Sequence, residues 1–176
     1  MAHGAETPSA WVLRWAELIR PGGRVLDVAC GGGRHARWFA ARGHAVDAVD
    51  RDAQAIASLQ SVPGIDALES DIEGGDWPYP PGRYAGVVVA NYLHRPLFPH
   101  LLDALASDGV LIYETFALGN ERYGRPSNPD FLLRPGELLD AVAGRLRVVA
   151  YEDLHVDEPR AAIVQRICAV ARGHLG

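Results

Sequence analysis

One stretch near the amino terminus, VLDVACGGGRHARW (residues 25–38), constrains the fold more than any other part of the chain. It combines an apolar strand that ends in an acid, a glycine-dense turn and the start of a helix. Glycines allow a backbone to approach a ligand closely because they carry no side chain. The stretch therefore predicts a nucleotide-type cofactor site at the carboxyl end of a first parallel strand. Asp27 precedes the turn instead of following it by about twenty residues, which favours a cofactor with an amino-acid-like tail over a pyrophosphate.

Length and charge narrow the class of protein. The 176 residues fit a single domain over 1–176 that can bury a hydrophobic core. The net charge of -5 argues against a nucleic-acid partner, since nucleic acids usually select a basic face. We expect no membrane partner and no signal peptide, because no apolar segment reaches the roughly 18–20 residues of a membrane span. Two cysteines, Cys30 and Cys168, are too few for a disulfide framework and favour a location in the reducing cytoplasm.

Alternating strand and helix patterns predict a doubly wound α/β sheet with helices on both faces. An amino-terminal helix is expected over residues 8–20, with Thr7 as its cap and Pro8 at its first position. Residues 116–134 are rich in Gly, Pro and Asn without periodicity, and are predicted to form a loop at the substrate site. The predicted strands cover residues 24–29, 44–50, 65–69, 84–90, 110–115, 146–151 and 162–171, and the other predicted helices cover 34–42, 52–60, 97–107 and 135–143.

The glycine turn fits the pattern D-x-G-x-G-x-G, with Asp27, Ala29, Gly31 and Gly33 in its four slots. In this the chain resembles the class I S-adenosylmethionine-dependent methyltransferases, and the small bacterial tellurite-resistance type in particular. The departure is Ala29, a small residue in place of the first glycine. The resemblance implies that the turn surrounds the methionine part of S-adenosylmethionine, with Asp27 near its amino group. It also implies a Rossmann-like, seven-stranded sheet that is mostly parallel, with an antiparallel last strand.

Three further strand ends agree with that family. Asp50 ends the second strand, where a carboxylate can accept hydrogen bonds from both ribose hydroxyls. The resemblance implies that Asp71 accepts from the adenine amine, that Ile72 packs on the ring, and that Asn91 lies between cofactor and substrate. No metal-binding residues are predicted. The residues predicted to bind S-adenosylmethionine are Asp27, Ala29, Cys30, Gly31, Gly33, Asp50, Arg51, Asp71, Ile72 and Asn91.

Other roles stay open for several of these residues. The alternative for Asp27, which the rest of the motif disfavours, is a buried acceptor for backbone amides of the turn. The alternative for Asp50 is a cap for the helix that starts near Asp52. Asp71 shares its loop with Asp66, Glu69 and Glu73, which compete for the adenine role. Cys30 is flanked by the motif and fits a small apolar packing residue better than a reactive thiol.

Methyl transfer from a sulfonium is an in-line displacement on an activated carbon. The enzyme therefore mainly aligns the acceptor, removes its proton where it has one, and excludes water. Two segments after strands, residues 91–100 and 113–137, are positioned for the acceptor. His94 is the candidate base because histidine titrates near neutral pH, although it equally fits a cap of the next helix. The catalytic candidates are Asn91, Tyr92, His94 and Arg95.

Arginines in these two segments fit an anionic substrate group. An equally good alternative is that these arginines form ion pairs with neighbouring acids and so hold the loop closed. Residues 128–131 (NPDF) superficially resemble the N-P-P-Y motif of amino-group methyltransferases, but that motif belongs after the fourth strand, which here reads ANYL. This position disfavours a DNA base as acceptor. The arginines are Arg95, Arg122, Arg125 and Arg134, and the neighbouring acids are Glu121, Asp130 and Glu137.

We therefore predict an enzyme that transfers a methyl group from S-adenosylmethionine to a small-molecule acceptor. Only the amino-terminal helix and the 116–134 loop remain to cover the site, which suits a small substrate. The alternatives are an RNA-modifying methyltransferase and a non-catalytic subunit that binds the cofactor for a partner. A nicotinamide dehydrogenase is the weakest alternative because of the glycine spacing. The acceptor and the oligomeric state are left open.

Overall fold

The structure is a computed structural model that describes residues 7–175. The predicted domain runs over 1–176, so its first six residues and its last lie outside the described residues. The elements, in chain order, are α1 (Ala10–Trp15), β1 (Val25–Val28), α2 (Arg34–Ala41), β2 (Val46–Asp50), α3 (Ala53–Leu59), β3 (Ile65–Glu69), β4 (Tyr84–Ala90), α4 (Phe98–Ala104), β5 (Leu105–Phe116), α5 (Glu137–Val142), β6 (Arg147–Val156) and β7 (Ala162–Val170).

The seven strands form one sheet in the order β3-β2-β1-β4-β5-β7-β6. β7 runs antiparallel to both of its neighbours, and the other pairings are parallel. The predicted Rossmann-like sheet, mostly parallel with an antiparallel last strand, is thus confirmed. Strand order reverses between β1 and β4, so the connections leave toward opposite faces there and open a crevice at the carboxyl ends.

Both faces of the sheet are covered. β1 is buried at all four positions, as expected for a parallel strand between two helical layers. One core cluster includes Tyr84 and Tyr113, and the other, on the opposite face, includes Trp11 and Phe39. Within residues 7–175, no helix is both long enough and apolar enough to cross a membrane.

The amino-terminal helix is shorter than predicted, and its cap is a different residue. α1 begins at Ala10 because the Ser9 side chain accepts hydrogen bonds from the amides of Trp11 and Val12. Thr7 is therefore not the cap. After α1 a single 3-10 turn, Ala16–Leu18, ends the helical segment inside the predicted range of 8–20.

Two strands are longer than predicted. β5 starts at Leu105, which pairs with Tyr84, so the helix predicted to reach residue 107 ends at Ala104. A register irregularity in β4 between Tyr84 and Gly86 accommodates the extra residues. β6 extends to Val156 because it pairs with β7 along its length. In these places strand pairing outweighs local helix or turn preference.

The 116–134 loop returns to the strand that it leaves. Its two ends meet in an isolated bridge between Ala117 and Leu133, and the amide of Leu133 donates to the carbonyl of Phe116 over 3.0 Å. Two 3-10 turns, Asn120–Arg122 and Pro129–Phe131, lie between these ends. The loop therefore starts and finishes beside the carboxyl end of β5.

Candidate cofactor and acceptor site

A cavity of about 450 Å³ lies at the carboxyl ends of β1 to β5, where the strand order predicts a crevice. Its volume lies in the usual range for small-molecule sites, roughly 300–1,000 Å³. It brings together residues at or after the ends of five strands and two further residues of the 116–134 loop. The lining residues are Ala29, Asp50, Arg51, Ser70, Asp71, Ile72, Glu73, Asn91, Tyr92, Leu93, Thr115, Phe116, Pro126 and Phe131.

The glycine turn is held against β2 and α3. The Gly31 amide donates to Asp50 Oδ2 over 2.8 Å. Gly33 has φ +80°, which favours glycine, and a Cβ there would lie 2.6 Å from Leu59 Cδ2 and would displace that buried side chain. Of the predicted turn residues, Ala29 lines the cavity, whereas Cys30, Gly31 and Gly33 do not.

Two non-glycine residues with left-handed backbone conformations follow the ends of the neighbouring strands β1 and β4. Ala29 follows β1 with φ +53°, and Asn91 follows β4 with φ +56°. Such backbone geometry is uncommon outside glycine and clusters at ligand-binding sites. Asparagine tolerates it better than alanine does. Both residues line the cavity, so the strained backbone shapes its wall.

Asp50 lies at the cavity with both carboxylate oxygens partly engaged. Oδ2 accepts from Gly31, and Oδ1 accepts from the Asp52 amide over 2.9 Å. A carboxylate oxygen can accept more than one hydrogen bond, so both remain open to ligand hydroxyls. The cap of α3 is Asp52, whose side chain accepts from the Gln54 and Ala55 amides. Asp50 is thus not needed as the helix cap.

Asp71 and Ile72 line the cavity next to Asp50, as the family pattern predicts. Asp71 Oδ1 accepts from the amides of Gly74 and Glu73 over 3.1 and 3.0 Å, and these bonds hold the pKa of Asp71 below its usual value. The lining contains three carboxylates, those of Asp50, Asp71 and Glu73, against one guanidinium, that of Arg51. The cavity therefore favours a ligand with net positive charge.

Asp27 is buried behind the glycine turn. It is 2% exposed, and Oδ2 accepts from the Ala36 amide near the start of α2 over 3.0 Å. Burial raises the pKa of Asp27 to about 7, against the opposing effects of the Ala36 amide and of Arg34. Asp27 does not line the cavity. This is the geometry of the buried amide acceptor, and the contact of Asp27 with a cofactor amino group stays a prediction.

The predicted catalytic residues separate into two groups. Asn91 and Tyr92 line the cavity, whereas His94 and Arg95 do not. The Tyr92 hydroxyl donates to Glu73 Oε1 over 2.9 Å. His94 Nδ1 lies 3.6 Å from the same oxygen. His94 therefore reaches the cavity only through Glu73, a residue that the sequence offered merely as a competing acid.

Arg95 is held by the protein itself. Its Nε and Nη2 donate to the two carboxylate oxygens of Glu137 over 2.6 and 2.9 Å. Its Nη1 and Nη2 also donate to the carbonyls of Asp130 and Leu132. Burial would raise the pKa of Glu137, but the bonds from Arg95 and from the Arg134 amide hold that pKa below its usual value. Arg95 therefore forms an ion pair that holds the loop closed, which was the alternative to binding an anionic substrate group.

The other arginines of the predicted anion site also lie away from the cavity lining. Arg122, Arg125 and Arg134 are not among the lining residues, and Arg134 lies 3.5 Å from Glu137. The loop contributes apolar residues instead. Sequence reasoning singled out no role for Ser70, Leu93, Thr115, Phe116, Pro126 and Phe131, although most of them lie in the two segments predicted to hold the acceptor.

Comparison with known proteins shows which proteins the chain is similar to. Residues 25–109 match the family model of the methyltransferase domain. TehB from Haemophilus influenzae has the same fold, with a TM-score of 0.77 at 17% identity over 94% of this chain; the chain covers 63% of TehB, less than two thirds of its length. A TehB-like S-adenosylmethionine-dependent methyltransferase from Corynebacterium glutamicum matches over 96% of this chain and 91% of its own, at 18% identity and a TM-score of 0.68.

A third neighbour is 1,6-didemethyltoxoflavin-N1-methyltransferase from Burkholderia thailandensis, whose structure holds 1,6-didemethyltoxoflavin and S-adenosylhomocysteine. It matches at 19% identity and a TM-score of 0.66, over 92% of this chain and 76% of its own. No protein of curated function matches the sequence. Residues 25–109 thus match a methyltransferase domain, and the chain has the Rossmann-like fold of S-adenosylmethionine-dependent methyltransferases.

Proposed function

We propose that this chain transfers a methyl group from S-adenosylmethionine to a small-molecule acceptor bound in the same cavity. The observation that carries the proposal is the continuity of this cavity. It joins the ends of β1, β2 and β4, which hold the family's cofactor positions, to the end of β5 and the 116–134 loop. Cofactor and acceptor would therefore share one cavity, as an in-line displacement requires.

The lining residues fit S-adenosylmethionine by shape and charge. Asp50 offers two carboxylate oxygens to the ribose hydroxyls. Asp71 and Ile72 would hold the adenine, and the backbone at Ala29 and Asn91 would lie along the methionine part. The cofactor carries a sulfonium, an ammonium and a carboxylate, and this net positive charge complements the carboxylate-rich lining.

When bound, S-adenosylmethionine supplies an activated methyl carbon. The residues of the chain then have to align the acceptor and exclude water. Pro126 and Phe131 of the loop line the cavity, as does Tyr92, whose hydroxyl donates to Glu73. Burial and the Glu73 carboxylate both raise the pKa of Tyr92, so the phenol stays protonated and serves as a hydrogen-bonding group.

Several observations support a small acceptor over a nucleic acid. A polyanion would meet a cavity lined by three carboxylates and one arginine. The neighbour from Burkholderia thailandensis binds a small heterocycle in the same fold. We also place the protein in the reducing cytoplasm, because Cys30 and Cys168 are buried free thiols. Burial raises the pKa of Cys168 to about 12, which keeps that thiol unreactive.

The first test is calorimetric binding of S-adenosylhomocysteine, the product form of the cofactor, with NADH in parallel. We expect S-adenosylhomocysteine to bind and NADH not to bind. Asp50→Asn should weaken binding about tenfold or more, because the amide replaces an acceptor by a donor facing the ribose. Asp52→Asn is the matched control: asparagine caps helices as well as aspartate does, so binding should stay unchanged.

The second test is turnover. Incubation of the protein with S-adenosylmethionine and a small-metabolite extract should produce S-adenosylhomocysteine and one methylated small molecule, detected by mass spectrometry. Methylation of RNA instead, with binding that weakens steeply with salt, would support the RNA-modifying alternative. Cofactor binding without transfer to any acceptor fraction would support the partner-subunit alternative.

A further inference from the structure

The end of the cavity beside β5 has apolar walls. Phe116, Pro126 and Phe131 form them. Phe131 is 52% exposed although its ring is large and apolar, so it presents an aromatic surface at the cavity mouth. Aromatic walls favour a flat apolar ligand, which can stack against or meet the edge of the rings.

No arginine lines this end within the described part of the chain. Arg160 packs over the Phe116 ring at 5.3 Å and donates to the carbonyl of Arg125, so its guanidinium is engaged outside the lining. Arg51, the one arginine in the described cavity lining, directly follows β2 and lies beside Asp50 at the predicted cofactor end. An anionic acceptor would therefore find no bidentate partner here and would meet the carboxylates of the cavity.

Thr115 provides a polar group among these apolar walls. It lies near the end of β5, lines the cavity and is 2% exposed. Its hydroxyl makes no hydrogen bond with any residue from 7 to 175, whereas the nearby hydroxyls of Tyr92 and Tyr113 are both engaged. Since Thr115 lines the cavity, its hydroxyl is available there to a ligand, whose polar group can replace water as its hydrogen-bond partner.

We infer that the acceptor is an uncharged aromatic small molecule that is oriented by one hydrogen bond to the Thr115 hydroxyl. This inference rests on the proposed function and specifies its acceptor. The ring of the acceptor lies between Phe116 and Phe131, and its polar substituent meets Thr115. Thr115 binds and orients the acceptor; it moves no proton, because an aliphatic hydroxyl does not titrate near neutral pH.

The test uses the full chain saturated with S-adenosylhomocysteine and three matched pairs of probes. These are benzamide and benzoate, indole-3-carboxamide and indole-3-carboxylate, and 2-naphthamide and 2-naphthoate. Within each pair the shape is nearly the same and the charge differs. By calorimetry we expect at least one carboxamide to bind, about tenfold or more tighter than its carboxylate. Equal or tighter binding of the carboxylates, or no binding of any carboxamide, would overturn the inference.

Two variants test the role of Thr115. Thr115→Val removes the hydroxyl at constant shape and should weaken carboxamide binding about five- to tenfold, whereas Thr115→Ser keeps the hydroxyl and should restore it. Both should retain wild-type affinity for S-adenosylhomocysteine, which shows that they fold. Unchanged carboxamide affinity in Thr115→Val would overturn the assignment. If the wild-type protein does not bind S-adenosylhomocysteine at all, the proposed function itself is refuted.

Discussion

Arg95 and Glu137 form an ion pair of two hydrogen bonds between residues 42 positions apart in sequence. Glu137 is 7% exposed, and Arg95 also holds the carbonyls of Asp130 and Leu132. The pair thereby ties the segment after β4, the 116–134 loop and the start of α5 together. Arg95 therefore stabilises the 116–134 loop, part of which lines the cavity, although Arg95 itself does not line it.

Removing Arg95 should destabilise the protein considerably. Arg95→Met leaves a buried carboxylate without its partner, and we expect the free energy of unfolding in urea to fall by about 3 kcal/mol. Arg145→Met is the matched control because Arg145 pairs with Asp103 at the surface, where both side chains are about half exposed. That variant should change stability by less than about 1 kcal/mol. If both variants lose the same free energy of unfolding, the burial of Glu137 does not make its ion pair more important than a surface pair.

Gly33→Ala should disturb the glycine turn. The new Cβ would meet Leu59 at 2.6 Å in a backbone with φ +80°, so strain and overpacking add. We expect a loss of about 2–4 kcal/mol in the free energy of unfolding. Gly43→Ala is the control because Gly43 has φ +89° but no atom within 4 Å of the added Cβ. Its loss should be about 1–2 kcal/mol, and a loss as large as that of Gly33→Ala would contradict the packing argument.

Asp27 should make stability depend on pH. Its pKa is raised by burial from 3.8 to about 7 in the folded state, so the folded protein retains a proton that the unfolded chain releases. The contribution of Asp27 is fully present below pH ~4 and is lost as the pH rises through 7, with a slope of roughly 1 kcal/mol per pH unit. Asp27→Asn keeps an acceptor for the Ala36 amide and has no charge to bury.

The measurement for Asp27 is the free energy of unfolding from pH 4.5 to 7.5 in wild type and variant. We expect the difference between the two proteins to grow in favour of Asp27→Asn as the pH rises. A constant difference across this range would mean that Asp27 titrates normally in the folded protein.

His94→Ala separates direct proton transfer from an indirect role. Because His94 contacts Glu73 at 3.6 Å and does not line the cavity, we expect turnover of an identified acceptor to fall by less than about tenfold. Glu73→Gln, which alters the lining residue itself, should have the larger effect. A loss of about a hundredfold or more in His94→Ala would restore His94 as the general base.

Much of the fold and part of the site could be predicted from local patterns. Strand periodicity and glycine spacing are properties of a few consecutive residues, and the carboxyl ends of parallel strands share one edge of the sheet. For that reason Asp50, Asp71 and Asn91, which lie far apart in sequence, were predicted to meet, and all three line the cavity. The α4–β5 boundary was misplaced because strand pairing decides it.

The sequence by itself thus determined the doubly wound sheet, the glycine turn and the strand ends that meet at the cavity, because these follow from local backbone preferences. Only the tertiary structure decided which arginine pairs with which acid, and that His94 stays behind Glu73. It likewise decided that Thr115 and Phe131 reach the cavity. These outcomes depend on the packing of segments distant in sequence, where several similar side chains compete and only three-dimensional distances select among them.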